Sequence, residues 1–150
     1  IREAKSINIR SFDISGGELF LYKYWEELLT ELLSNGFYPY ISTKCPLNEK
    51  TILKLKQLGL NRLQVSIDSI KSDELVKMLR VNEEYRDRIL NTLKLLDEHE
   101  FNIYTNSQLT SINQQSIPEL IDYLLGLKNI KRINLGAAGF SLSSGGEALI

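Results

Sequence analysis

The sequence predicts an α/β fold built on a parallel sheet. Short runs rich in β-branched and aromatic residues recur about every 30 residues. Between them lie longer stretches with apolar residues at helical spacing, and glycines or polar cap residues punctuate the joins. Strand–helix alternation of this kind argues for parallel strands joined by right-handed helical crossovers. Five such strands fit an open doubly wound sheet or most of a curved barrel wall, and periodicity alone does not choose between them.

The expected strands cover residues 7–12, 38–43, 62–67, 102–109 and 132–135. The first helix carries Tyr24, Trp25, Leu28, Leu29, Leu32 and Leu33 on one stripe and stops at Asn35-Gly36. The second carries Ile52, Leu55 and Leu58 and stops at Gly59. The third connection starts at Ser72-Asp73-Glu74 and runs into Ile89, Leu90, Leu93 and Leu96. The fourth opens with Ser116-Ile117-Pro118-Glu119, the pattern of a capping box with proline in the first turn, before Leu120, Ile121, Leu124 and Leu125. The stretch from Gly136 to Gly146 is rich in small residues and reads as a mobile loop.

Composition narrows the functional classes. A net charge of -1, from 18 basic and 19 acidic residues, gives no support for a nucleic-acid or membrane-surface role. No apolar run approaches the roughly 18 residues of a membrane span. A single cysteine, Cys45, cannot form an internal disulfide, so a reducing cytoplasm is the expected compartment. One cysteine and one histidine cannot build an ordinary structural zinc site. The absence of an initial methionine at Ile1 and the abrupt stop at Ile150 make both ends look cut.

Parallel α/β folds bind ligands beyond the carboxyl ends of their strands. The first strand leads into Ser15-Gly16-Gly17-Glu18, where two glycines admit close approach and a carboxylate can receive an ammonium group. A turn followed by the first acidic residue of a helix explains the same residues. Thr43 and Lys44 close the second strand, and Cys45 beside them reads as a packing thiol. In the third strand Gln64, Ser66 and Asp68 alternate with Val65 and Ile67. A hydroxyl followed by a carboxylate suits a pair of sugar hydroxyls, or Asp68 simply starts a turn. The fourth strand holds Thr105, Asn106, Ser107 and Gln108, polar enough for either a wet cavity wall or a solvent-facing edge. Asn113 reads as a loop-shaping residue, Arg80 as a solvated arginine or a carboxylate partner, and His99 as a surface residue at a helix end. No catalytic triad, P-loop or dinucleotide fingerprint is visible.

Taken in order, these residues resemble the radical S-adenosylmethionine (radical SAM) superfamily, in particular its peptide- and cofactor-maturing branch. Ser15-Gly16-Gly17-Glu18 is similar to the family's GGE segment, with Leu19 where proline usually follows. Ile41-Ser42-Thr43 resembles the next strand, with Lys44-Cys45 in place of Asn-Gly, and Val65-Ser66-Ile67-Asp68 resembles the one after. Arg80 falls near an arginine common in the family, and the passage from Leu109 to Ile121 resembles the one that follows the fifth barrel strand.

The resemblance implies a partial parallel (βα) barrel, TIM-like and incomplete, with the second to sixth strands in residues 1–135 and a flexible tail in 136–150. It implies that Gly16, Gly17 and Glu18 receive the methionyl ammonium of S-adenosylmethionine, that Ser66 and Asp68 lie near the ribose, and that Arg80 pairs with the methionyl carboxylate. It further implies an oxidoreductase in which a [4Fe-4S] cluster cleaves S-adenosylmethionine and the 5′-deoxyadenosyl radical abstracts a substrate hydrogen, in peptide or cofactor maturation. The CxxxCxxC motif that holds such a cluster is absent, so its ligands are expected upstream of Ile1 and the fragment alone is expected to be inactive. Self-association through uncovered barrel edges is expected, with no nucleic acid and no membrane as partners. The rival is an independent, non-enzymatic flavodoxin-like binding module. Asp13 and Lys131 serve poorly as the acid and lysine of a receiver domain, because Lys131 precedes its strand.

Overall fold

The computed structural model describes residues 1–9, 11–14 and 17–137. Five strands form one sheet: β1 (Asp13–Ile14), β2 (Tyr40–Thr43), β3 (Arg62–Ser66), β4 (Asn102–Leu109) and β5 (Ile130–Ala137). All four pairings are parallel and the spatial order equals the chain order. That order decides between the two architectures. A doubly wound sheet reverses its strand order at a switch point, and no reversal occurs here. With every crossover stepping the same way, right-handed connections place the helices on one face, as in a section of (βα) barrel.

The helices are α1 (Arg2–Ser6), α2 (Trp25–Ser34), α3 (Glu49–Gln57), α4 (Ser72–Leu79), α5 (Glu84–Glu98) and α6 (Ile117–Leu125). The core lies between the sheet and these helices: Ile41, Leu63, Val65 and Ile103 meet Leu29, Ile52, Leu55, Ile89, Leu93, Leu120 and Leu124, all buried. The alternating residues Tyr40, Ser42, Gln64, Tyr104 and Asn106 turn to the other face and stay half-exposed.

Three helix ends share one device. After α2, the Phe37 N–H donates to the Leu32 carbonyl at 3.0 Å, with Gly36 at φ 81°. After α3, Leu60 donates to Leu55 at 3.0 Å around Gly59 at φ 83°. After α5, Phe101 donates to Leu96 at 2.9 Å, but the left-handed residue is Glu100 at φ 60°. The hydrogen-bond closure is the same in all three.

Several expectations are corrected. The described residues of 7–12 form no strand: α1 and a left-handed Asn8 (φ 60°) precede a two-residue β1 at the sheet edge. Ile7 is 70% exposed, so its alternation with Ile9 had no surface to bury against. The third connection is two helices, broken where Arg80 takes a left-handed conformation (φ 55°). Ser116 does not cap α6 with its side chain. Its hydroxyl donates to buried Glu74, while Glu119 turns outward to Lys71 Nζ at 3.0 Å. β5 runs to Ala137, two residues past its expected end; residues 138–150, with most of the small-residue stretch, lie outside the described residues.

Candidate functional site

The carboxyl ends of β1, β2, β3 and β4 gather a set of polar groups. Glu18 follows β1 and reaches across to the end of β2. Its Oε2 accepts from Thr43 Oγ1 at 2.7 Å and from the Cys45 N–H at 3.3 Å, and its Oε1 from the Lys44 N–H at 2.9 Å. A strand end leaves N–H groups without ladder partners, and a carboxylate is the strongest acceptor for them. Glu18 thereby fixes the β1–β2 rim. Gly17 beside it is exposed, and a Cβ there would meet nothing within 4 Å, so ligand access rather than crowding is the feature of that position. Gly16 lies outside the described residues.

Asp68 closes β3. It is only 4% exposed, and its Oδ1 accepts from the Gln108 N–H of β4 at 2.7 Å. Burial pushes its carboxyl above the ordinary carboxylate value, against the Gln108 hydrogen bond and the charge of Lys44, which both pull it down. Asn113 locks this end from below: its amide donates to the carbonyls of Asp68 (2.6 Å) and Gln108 (2.8 Å), while its Oδ1 accepts from the Thr110 N–H at 2.8 Å. Asn113 shapes the loop, as the sequence suggested. Ser66 lies one alternation before Asp68, nearly buried and in register with Asn106.

Tyr85 was not singled out in the sequence. It opens α5, is buried, and donates its phenol to the Lys44 carbonyl at 2.8 Å. Burial, with the charges of Asp68, Glu18 and Cys45 nearby, pushes the phenol up to about 12. Its hydroxyl thereby ties the start of α5 to the end of β2. No local pattern marks it, because α4 intervenes between it and β3. Cys45 is half-buried; burial, then Glu18, raises its thiol above the ordinary 9.0, which suits a packing role.

The remaining expectations separate. Arg80 is exposed and makes no ion pair among the described residues. His99 ends α5 and faces Glu49 at 3.4 Å, on the helical layer. β4 is interior, paired on both sides, so its polarity is not that of an edge. Thr105 and Ser107 are fully buried on its helical face, Ser107 donating to the Ile67 carbonyl, and Asn106 faces the concave side. The second Gly-Gly-Glu, at Gly145-Gly146-Glu147, lies outside the described residues.

The sequence matches the Radical SAM superfamily over residues 1–124. The chain belongs to the radical SAM superfamily. It is 30% identical over 131 residues to the GTP 3',8-cyclase of Helicobacter pylori (strain HPAG1), covering 85% of this chain and 39% of that protein. The chain thus spans about two fifths of that relative's length. Streptococcus suis SuiB superposes with a TM-score of 0.79 at 22% identity, covering 95% of this chain and 32% of that chain. A domain of pyruvate-formate lyase-activating enzyme from Bacteroides vulgatus ATCC 8482 gives a TM-score of 0.71 at 20% identity, covering 82% of this chain and 77% of that one. These two likenesses are of fold.

Radical SAM enzymes as a family use S-adenosylmethionine and a [4Fe-4S] cluster. The cluster does not fit the residues of this chain. It needs a set of thiolates, and the chain has one cysteine; among the described residues no group of three or more His, Cys, Asp or Glu side chains could hold a metal ion. S-adenosylmethionine fits better: an open glycine, a buried carboxylate with one oxygen uncommitted among the described residues, and a hydroxyl stand at one end of the sheet. No helix among the described residues is long and apolar enough to cross a membrane.

Proposed function

We propose that this chain forms the S-adenosylmethionine-binding wall of a radical SAM oxidoreductase working in the cytoplasm. The observation that carries the reading is the convergence of Glu18, Asp68 and Tyr85, distant in sequence, at the carboxyl end of one parallel sheet. In this reading the backbone at Gly16 and Gly17 takes the methionyl ammonium. Glu18, whose oxygens are already engaged by β2, adds negative charge and holds the rim in place. Asp68 accepts from a ribose hydroxyl through the oxygen that Gln108 leaves free, and Ser66 supports it. Arg80 reaches the methionyl carboxylate from the end of α4. When bound, S-adenosylmethionine supplies the adenosyl group through which the family removes a hydrogen from its substrate.

The residues themselves bind, orient and exclude water. The sequence resemblance implies peptide or cofactor maturation. A relative named for GTP favours a nucleotide, and we take that as the better-supported class.

Isothermal titration of the protein with S-adenosylmethionine tests the reading. Saturable one-to-one binding, weakened about tenfold or more in Asp68→Asn, supports it. Equal affinity of the two proteins, or no binding at millimolar ligand, refutes it.

A further inference from the structure

The concave face carries a pocket at the opposite ends of the strands. It has a volume of about 380 Å³ and is lined by Asp13, Tyr38, Tyr40, Arg62, Tyr104 and Arg132. Tyr40 starts β2 and Arg62 starts β3, Asp13 stands in register with Tyr40, and Tyr104 with Arg132. Thr43, at the Glu18 rim, lies three residues along β2 from Tyr40, or about 10 Å at strand rise. The two sites are therefore separate.

The composition is unlike that of a packed barrel floor, which branched aliphatic side chains fill. Here the tyrosines are held in fixed positions. Tyr38 donates to Asn61 Oδ1 and Tyr40 to Gln64 Oε1, both at 2.7 Å, and the Tyr40 and Tyr104 rings stand edge to face at 6.3 Å. The Arg62 guanidinium lies 4.7 Å over the Tyr38 ring and donates one terminal N–H to the Tyr38 carbonyl at 3.2 Å. Its Nε is buried and has no partner among the described residues. Among the described residues, neither Arg62 nor Arg132 forms an ion pair. Asp13, at the rim, is the one acidic group in the lining, so two guanidiniums face one carboxylate.

A buried guanidinium N–H without an acceptor is unfavourable, and a planar fork of donors matches the oxygens of phosphate or carboxylate. We infer that this pocket binds an oxyanion, the phosphate or carboxylate group of a small molecule, between Arg62 and Arg132, with the tyrosine rings as its walls. The inference does not rest on the S-adenosylmethionine reading, which concerns the other end of the strands.

The test is an NMR titration of the arginine Nε–H resonances of the ¹⁵N-labelled protein with inorganic pyrophosphate and, separately, with malonate. Sodium chloride at matched ionic strength is the control. A saturable shift of the Arg62 Nε–H at millimolar anion, absent with chloride, supports the site. The stronger of the two anions then tells phosphate from carboxylate. Arg132 is exposed and unpaired, so Arg132→Gln should fold normally and bind about tenfold more weakly. Drift identical to that with chloride, or undiminished binding in Arg132→Gln, overturns the inference.

Discussion

Replacing Glu18 with Gln should both soften the β1–β2 rim and make Cys45 more reactive. The Glu18 carboxylate accepts from Thr43 Oγ1, the Lys44 N–H and the Cys45 N–H. An amide keeps one accepting oxygen and turns an NH₂ toward the remaining donors. One or two charge-assisted hydrogen bonds, each worth about 1.5–3 kcal/mol when sheltered, are lost or inverted. Because the site is half-exposed, water recovers part of this, leaving a loss of about 2 kcal/mol. In a domain of this size that lowers Tm by about 4–8 °C. Glu18 also contributes to raising the Cys45 thiol, second to burial. Its removal moves the pH midpoint of Cys45 alkylation downward, though burial keeps it above that of a free thiol. Thermal denaturation and the pH profile of iodoacetamide alkylation read the two effects. A Tm within about 1 °C of the parent, with an unmoved alkylation midpoint, would show that Glu18 does not clamp the rim.

The other predictions concern separate parts of the fold. Asp68→Asn keeps an acceptor for the Gln108 N–H and removes a buried charge, so stability at neutral pH should rise or hold. The folded carboxyl of Asp68 sits above its ordinary 3.8, so the parent gains on the variant as pH falls through that raised value and the difference closes below 3.8; denaturant titrations at two pH values check the sign. Glu74 is buried and takes the hydroxyls of Ser69 and Ser116, tying the β3–α4 loop to α6. Glu74→Ala should therefore cost about 2–4 kcal/mol in urea unfolding, and a change below about 0.5 kcal/mol would contradict the tie. Glu100→Gly should stabilise by about 0.5–1 kcal/mol, because a left-handed residue there carries a side chain that glycine lacks. Among the described residues β1 and β5 each pair with one neighbour only, and Leu135 is exposed on β5. Concentration-dependent self-association in sedimentation velocity is the expected result, and a monomer at every concentration would count against it.

The alternation of strands and helices, and most of the core, were legible in the sequence because burial imposes period: Val65 and Ile67, or Leu29 and Leu32, sit inside where the pattern put them. The barrel-like order was not legible, since the same pattern serves a doubly wound sheet and only the pairing order separates them. The pattern failed where a local signal met a stronger tertiary partner. Ser116 and Glu119 spell a capping box, but a buried carboxylate, Glu74, took the serine. Ile7 and Ile9 alternate like a strand but both stay exposed. At the candidate site, the strand-end positions of Glu18 and Asp68 were legible because strand-end glycines and carboxylates are local features. Tyr85, and the concave-face set of Arg62, Tyr104 and Arg132, come together only through register between strands or packing between elements. A sequence read along one line does not contain that register.

The most direct measurement of the central claim is a crystal structure of the protein soaked with S-adenosylmethionine. The account predicts the methionyl ammonium at the Gly16–Gly17 backbone and a ribose hydroxyl within hydrogen-bond distance of the Asp68 carboxylate. No ligand at the strand carboxyl ends at saturating concentration, or ligand there with neither contact made, would contradict it.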